Sequence, residues 1–268
     1  PASATTVVFQ DDVQGGVAVD ASATDASDYG SGSLASGDPF ELVVPSTATI
    51  TDVFLILHAK PDGFLGTESA VRINGIDLSF GAVVSSSGTT EVYSLPPSVY
   101  DISAGSTVTY EEEGSAESGF HFGPGIHGAT MAAVYEDTTL NGNRHVVIAT
   151  DNVSDGAAVL TGLPELDGVD SVVLSYGITN ECANDQVNAV VVDSAFVSST
   201  AGGSDDGPSY DGSCGGQDWN TLLTQGSFGV DDTDTVVGAD GDLLDAAPAG
   251  GTSSNSRLDD ELYHLYYD

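Results

Sequence analysis

Ile50–Ala59, ITDVFLILHA, is the stretch whose reading decides the fold. Its residues from Val53 to Leu57 are all apolar, with no polar member in step with either a helical or a strand period. A run this short, flanked by β-branched residues, reads as a strand covered on both faces or central in a sheet. Asn188–Val197 (NAVVVDSAFV) reads the same way.

Working outward, short β-branched runs recur between Gly, Ser and Asp clusters, and long helical periodicity is nearly absent. That is the pattern of antiparallel strands joined by turns. Strands are expected at Thr5–Gln10, Val17–Asp20, Phe40–Val44, Ser69–Ile73, Thr90–Leu95, Thr107–Glu112, Gly128–Glu136, Arg144–Thr150, Ala157–Leu163, Ser171–Thr179 and Thr235–Gly238. Asn74-Gly75, between two such runs, is the strongest two-residue hairpin signal. The ending, Arg257–Asp268, suits a short amphipathic helix or a last strand. The fold class is therefore all-β: a jelly-roll-like antiparallel β-sandwich, or two of them, with long Gly/Asp/Ser-rich loops.

Three regions follow. Residues 1–38 hold one good strand, Thr5-Thr6-Val7-Val8-Phe9-Gln10, then an Ala/Ser/Gly/Asp-rich stretch with little to bury, as a strand on a tether would. Residues 39–155 form a first sandwich region. Residues 156–268, richer in Gly and Asp, form a second region or the other half of one large sandwich. A tethered strand can fold back on its own sheet or complete the open edge of a neighbour's, turning that edge into an assembly joint.

Charge narrows the partners. Four basic residues stand against 41 acidic ones, 30 Asp and 11 Glu, a formal net charge of −37. Phosphate backbones and anionic bilayers are repelled by such a surface, which excludes nucleic acid. Self-repulsion of this size calls for salt or bound cations, so a halophilic setting and a calcium-loaded extracellular one both fit. No apolar run is long enough to span a bilayer as a helix. The chain opens on Pro without a leader-like stretch and reads as already processed. Cys182 and Cys214, outside any CxxC spacing, are expected to form one disulfide in an oxidising compartment, with two buried thiols as the alternative.

Candidate chemistry is sparse. Asp231, Asp232 and Asp234, with Asp240, Asp242 and Asp245, put alternating carboxylates in Gly-containing loops, the oxygen-rich setting Ca²⁺ takes, or simply solvated acids. His121 and His127 flank a Pro-Gly turn without a third zinc ligand. No nucleophile elbow or phosphate cradle is present, and Glu111-Glu112-Glu113 reads as an exposed strand edge guarded by charge. Asn152-Val153-Ser154 is a glycosylation sequon in an expected turn. No catalytic residue is assigned and no enzyme is expected.

Gly128–Asp151 (GATMAAVYEDTTLNGNRHVVIATD), with Phe40–Ala59, VRINGIDL (Val71–Leu78), VYDISAGSTVTYE (Val99–Glu111) and DDELYHL (Asp259–Leu265), resembles the secreted domain-of-unknown-function family thirty-three forty-four. Members often carry Trp in the strand matching Val53–Ala59, where this chain has none, and its acidity is extreme. The resemblance implies an extracellular, jelly-roll-like surface module similar in architecture to subunits of strand-linked filaments, and it brings no catalytic residues. The expectation is a structural subunit of an extracellular filament or cell-surface layer, polymerising with itself through Thr5–Gln10. The alternative is a monomeric calcium- or carbohydrate-binding surface module, with Tyr210 and Trp219 near Cys214 as its aromatic cluster.

Overall fold

The computed structural model describes residues 5–22, 34–36, 39–59, 71–87, 90–113, 126–151, 156–159, 172–182, 188–192, 195–201, 217–225, 252–255 and 261–267. The first nine strands are β1 (Thr6–Val13), β2 (Gly15–Ser22), β3 (Leu34–Ser36), β4 (Thr49–Ala59), β5 (Val71–Ile73), β6 (Ile76–Asp77), β7 (Ala82–Ser87), β8 (Thr90–Ser94) and β9 (Tyr110–Glu113). They are followed by β10 (Ile126–Glu136), β11 (Arg144–Asp151), β12 (Gly156–Val159), β13 (Val172–Cys182), β14 (Asn188–Val192), β15 (Ala195–Ala201), β16 (Gln217–Gln225), β17 (Thr252–Asn255) and β18 (Glu261–Tyr267). Among the described residues, helix is confined to one turn, α1 (Pro97–Tyr100), and a 3-10 turn at Leu78–Phe80. The protein is all-β, and the described strands form four antiparallel sheets.

The first sheet has the order β1-β11-β18-β13-β16, the second β2-β10-β4-β8-β7, the third β3-β9-β5-β6 and the fourth β12-β17-β14-β15. The second sheet is apolar on both faces. Val53, Leu55 and Leu57 of β4 join Phe40, Ile73 and Tyr110 in one cluster. Phe54 and Ile56, pointing the other way, join Val146 and Ile148 of the first sheet in a second cluster. Strand β4 is thus covered on both sides, which is why it reads as an unbroken apolar run: each of these side chains gains roughly 2 kcal/mol from leaving water.

Two lengths of chain tie the first two sheets together. Residues 6–22 run as β1 and β2 with only Gln14 between them. Their antiparallel partners are β11, where Val13 stands opposite Arg144, and β10, where Gly15 stands opposite Glu136. Strands β10 and β11 therefore lie end to end, interrupted by 137–143, and the paired ribbon passes from one sheet to the other at a corner. Strands that change sheets at bends or bulges are the usual means of making such corners.

The structure answers several expectations. The strand expected at Val17–Asp20 is present within β2, a buried strand of the second sheet that takes in the first two residues of the stretch read as a tether. The first sheet combines β1 and β11 with β13, β16 and β18, so strand pairing crosses the boundary placed near residue 155. Phe40–Val44 makes a single bridge, Phe40 to Val108, because it lines the core in alternation without a neighbouring strand to ladder with. The segment near the end is a strand, β18. Glu111–Glu113 is not a guarded edge: β9 lies inside the third sheet between β3 and β5, and Glu112 is buried, accepting a 2.6 Å hydrogen bond from the Tyr110 hydroxyl. The Asn-Gly hairpin is present, joining Ile73 to Ile76, with φ of 51° at Asn74 and 73° at Gly75, both positive as a type I′ turn requires.

Candidate functional site

β1 is an edge strand. It has β11 on one side and, among the described residues, no strand on the other. Thr6, Val7, Gln10, Asp11 and Asp12 are exposed, Val8 and Phe9 half-buried, and only Val13 is buried. Val8 and Phe9 pack against the cluster between the first two sheets, and the Phe9 ring lies 5.8 Å from that of Phe54. The register shifts between Val7 and Phe9, the mark of a β-bulge, which lets both Val8 and Phe9 reach the core. Thr5 precedes the strand, so the expected assembly segment Thr5–Gln10 coincides with its first five residues and their lead-in.

Side chains fasten the far end of β1. His145, opposite Asp12, places Nδ1 2.6 Å from Asp12 Oδ1 and Nε2 3.0 Å from Gln10 Nε2. The Asp12 amide donates to Asp11 Oδ1 at 2.8 Å.

The corner beyond it is held on every side. The Gln14 carbonyl accepts from the Asp137 amide at 2.7 Å, and its side-chain amide donates to the Leu140 carbonyl at 2.7 Å. Arg144 Nη1 donates to the Gly15 carbonyl at 2.6 Å. Glycine is required at Gly15, where a Cβ would lie 1.7 Å from the Tyr135 carbonyl oxygen. Asp137, with almost no exposed surface, is covered by its own turn rather than by the deep core. Its Oδ1 accepts from the Thr139 hydroxyl at 2.6 Å and the Thr139 amide at 2.9 Å, and its Oδ2 from the Thr47 hydroxyl at 2.9 Å. The Thr139 hydroxyl foremost, then its amide, hold the carboxyl below the usual carboxylate range; covering it from water works the other way and Thr47 adds to the lowering. Burial pushes the Tyr135 hydroxyl up, against the pull of Arg144 and with help from Asp137.

The remaining expected sites are not brought together. Asp231, Asp232, Asp234, Asp240, Asp242 and Asp245 lie outside the described residues, as do Asn152, His121, Tyr210 and Cys214. The expected Cys182–Cys214 bridge is outside as well, because Cys182 ends β13 but Cys214 is not among the described residues. Among the described residues no group of three or more His, Cys, Asp or Glu is gathered for a metal, and no helix is long and apolar enough to cross a membrane. Sequence reading missed both His145 and Asp137. Asp137-Thr138-Thr139 after an apolar strand carries the Asx-turn signal that would have found the second. Nothing local marks His145, whose partners lie 133 and 135 residues away.

No family model, curated protein or solved structure matches the chain, so the family resemblance rests on the quoted residues alone.

Proposed function

We propose that the protein is a structural subunit of an extracellular filament or cell-surface layer, built as jelly-roll-like sandwich modules and joined head to tail by exchange of its N-terminal strand. One observation carries the reading: β1 is an exposed edge strand, joined to a buried neighbour through a single clamped residue, Gln14. Such a strand can leave β11 and be replaced by the same strand of another copy, every backbone bond being re-formed. The contact is heterologous and need not close on itself, and an open series of such contacts is a fibre. In this reading the charge of −37 keeps copies apart except at the exchanged strand. Ca²⁺ at the acidic loops and a glycan at Asn152 belong to the same picture, and no catalysis does.

The test combines imaging with covalent trapping. Full-length protein viewed by electron microscopy forms fibres, and deletion of residues 1–13 abolishes them. Mixing Asp12→Cys chains with His145→Cys chains yields a disulfide-linked dimer through these opposed positions. Single particles in both samples and no linked dimer, at high concentration with calcium present, would sink the proposal and favour a monomeric calcium- or carbohydrate-binding surface module.

A further inference from the structure

The chain holds two Asn-Gly pairs, Asn74-Gly75 and Asn141-Gly142. Such a pair rearranges without an enzyme, one chemical reason why asparagine counts among the thermolabile residues. The glycine nitrogen attacks the asparagine Cγ, the N–Cγ bond forms, the Cγ–Nδ2 bond breaks, and ammonia leaves carrying the glycine amide proton. Water then opens the cyclic imide at either carbonyl, giving aspartate or, with the main chain rerouted through Cβ, isoaspartate. Glycine favours the attack because no Cβ shields its nitrogen or narrows its backbone freedom. The asparagine side chain must still turn onto that nitrogen, so whatever holds it sets the rate.

The two side chains are held very differently. Asn74 Nδ2 donates to the Tyr100 carbonyl at 2.8 Å and to the Asp101 carbonyl at 3.3 Å, while its Oδ1 accepts from the Thr109 amide at 2.8 Å. Its backbone amide donates to the Thr109 carbonyl at 3.0 Å, and the hairpin fixes its φ at 51°. These bonds have to break before Cγ can turn to the Gly75 nitrogen. Asn141 is exposed, and among the described residues none donates to its side chain or accepts from it. Gly142, at φ 91°, faces open space, where an added Cβ would meet nothing within 4 Å.

Asn141 also lies between two contacts that clamp the corner. Leu140, just before it, gives its carbonyl to the Gln14 side-chain amide, and Arg144, beyond it, reaches the Gly15 carbonyl. Isoaspartate lengthens the main chain between them by one methylene, in a loop whose ends are fixed by the Asp137 amide on the Gln14 carbonyl and by the start of β11. It also adds a charge to a chain already at −37. We infer that Asn141-Gly142 is a site of spontaneous deamidation, that the bonds of Asn74 protect the other pair, and that isoaspartate at position 141 loosens the hold on Gln14 and Gly15. The inference stands apart from strand exchange: it concerns a slow covalent change at the corner joining the first two sheets.

The experiment ages the full-length protein in mildly alkaline buffer, natively and in denaturant, and maps its peptides by mass spectrometry that separates isoaspartate from aspartate. In the native protein Asn141 converts about tenfold faster than Asn74 or more, the effect of hydrogen bonds that must break before attack. In denaturant the two convert at similar rates. Equal native rates overturn the assignment, and a difference that persists in denaturant overturns the protective role of the Asn74 bonds. Hydrogen exchange on the aged native protein shows protection lost at 13–16 and 137–140. Aged Asn141→Gln keeps that protection, and so does fresh Asn141→Asp, which adds the charge without the methylene. Full protection in aged, converted protein overturns the link to the corner while leaving the modification standing.

Discussion

β1 and β2 are eight-residue strands separated by one residue, each at the edge of its sheet, each paired with one half of the same β10–β11 run. One is exposed along most of its length; in the other, Val17, Ala18, Val19 and Asp20 are all buried. Composition does not explain this, since β1 has Val7, Val8 and Phe9 to bury. What differs is the cover: β13 and β16 lie against β2, whereas β1, with the cluster beneath its Phe9 and β7 nearby, keeps most of its side chains exposed. An edge strand is therefore either a closed part of the core or open to solvent, according to what lies across it, and this chain has one of each in series.

That contrast breaks most severely at the core both strands lean on. Ile56→Ala, on the face shared by the two sheets, loses about 3 kcal/mol or more in denaturant unfolding and exposes β1 and β2 together. Gly15→Ala forces the corner apart and costs about 2–3 kcal/mol, with the loss of protection in hydrogen exchange centred on 13–16 and 135–137. Val19→Ala in β2 costs about 1–2 kcal/mol, while Val7→Ala in β1 stays within about 0.5 kcal/mol; equal costs would erase the distinction drawn above.

Acid sharpens the comparison more gently. The Asp137 carboxyl is depressed in the folded protein, so its stabilisation is fully present above the ordinary carboxylate value of 3.8 and is lost as pH falls through the lower folded value. Unfolding followed from pH 6 down to pH 2 should converge for the wild type and Asp137→Asn below that window, the variant being the less stable above it. Curves that stay parallel throughout would remove Asp137 from the corner's support.

The sheets were legible where the deciding forces are local. An unbroken apolar run needs both faces covered, and β4 has them; Asn74-Gly75 needs two positive φ angles, and the hairpin supplies them. Burial of Glu112 and the end-to-end alignment of β10 with β11 were not legible, because they depend on which strands become neighbours across long separations. For the same reason the candidate site was half visible. Thr5–Gln10 announces itself as a strand by propensity, but its edge position, the pivot at Gln14 and the contacts of His145 come from segments more than a hundred residues later.

The ribbon's long reach also sets a schedule for synthesis. β1 emerges before its partner, and His145, across from Asp12, follows 133 residues later. At roughly 5–20 residues per second the strand waits about 7–27 s with its partner still unmade. In that interval the backbone groups that β11 will pair stay bonded to water, so this pairing is among the last steps that the order of synthesis allows.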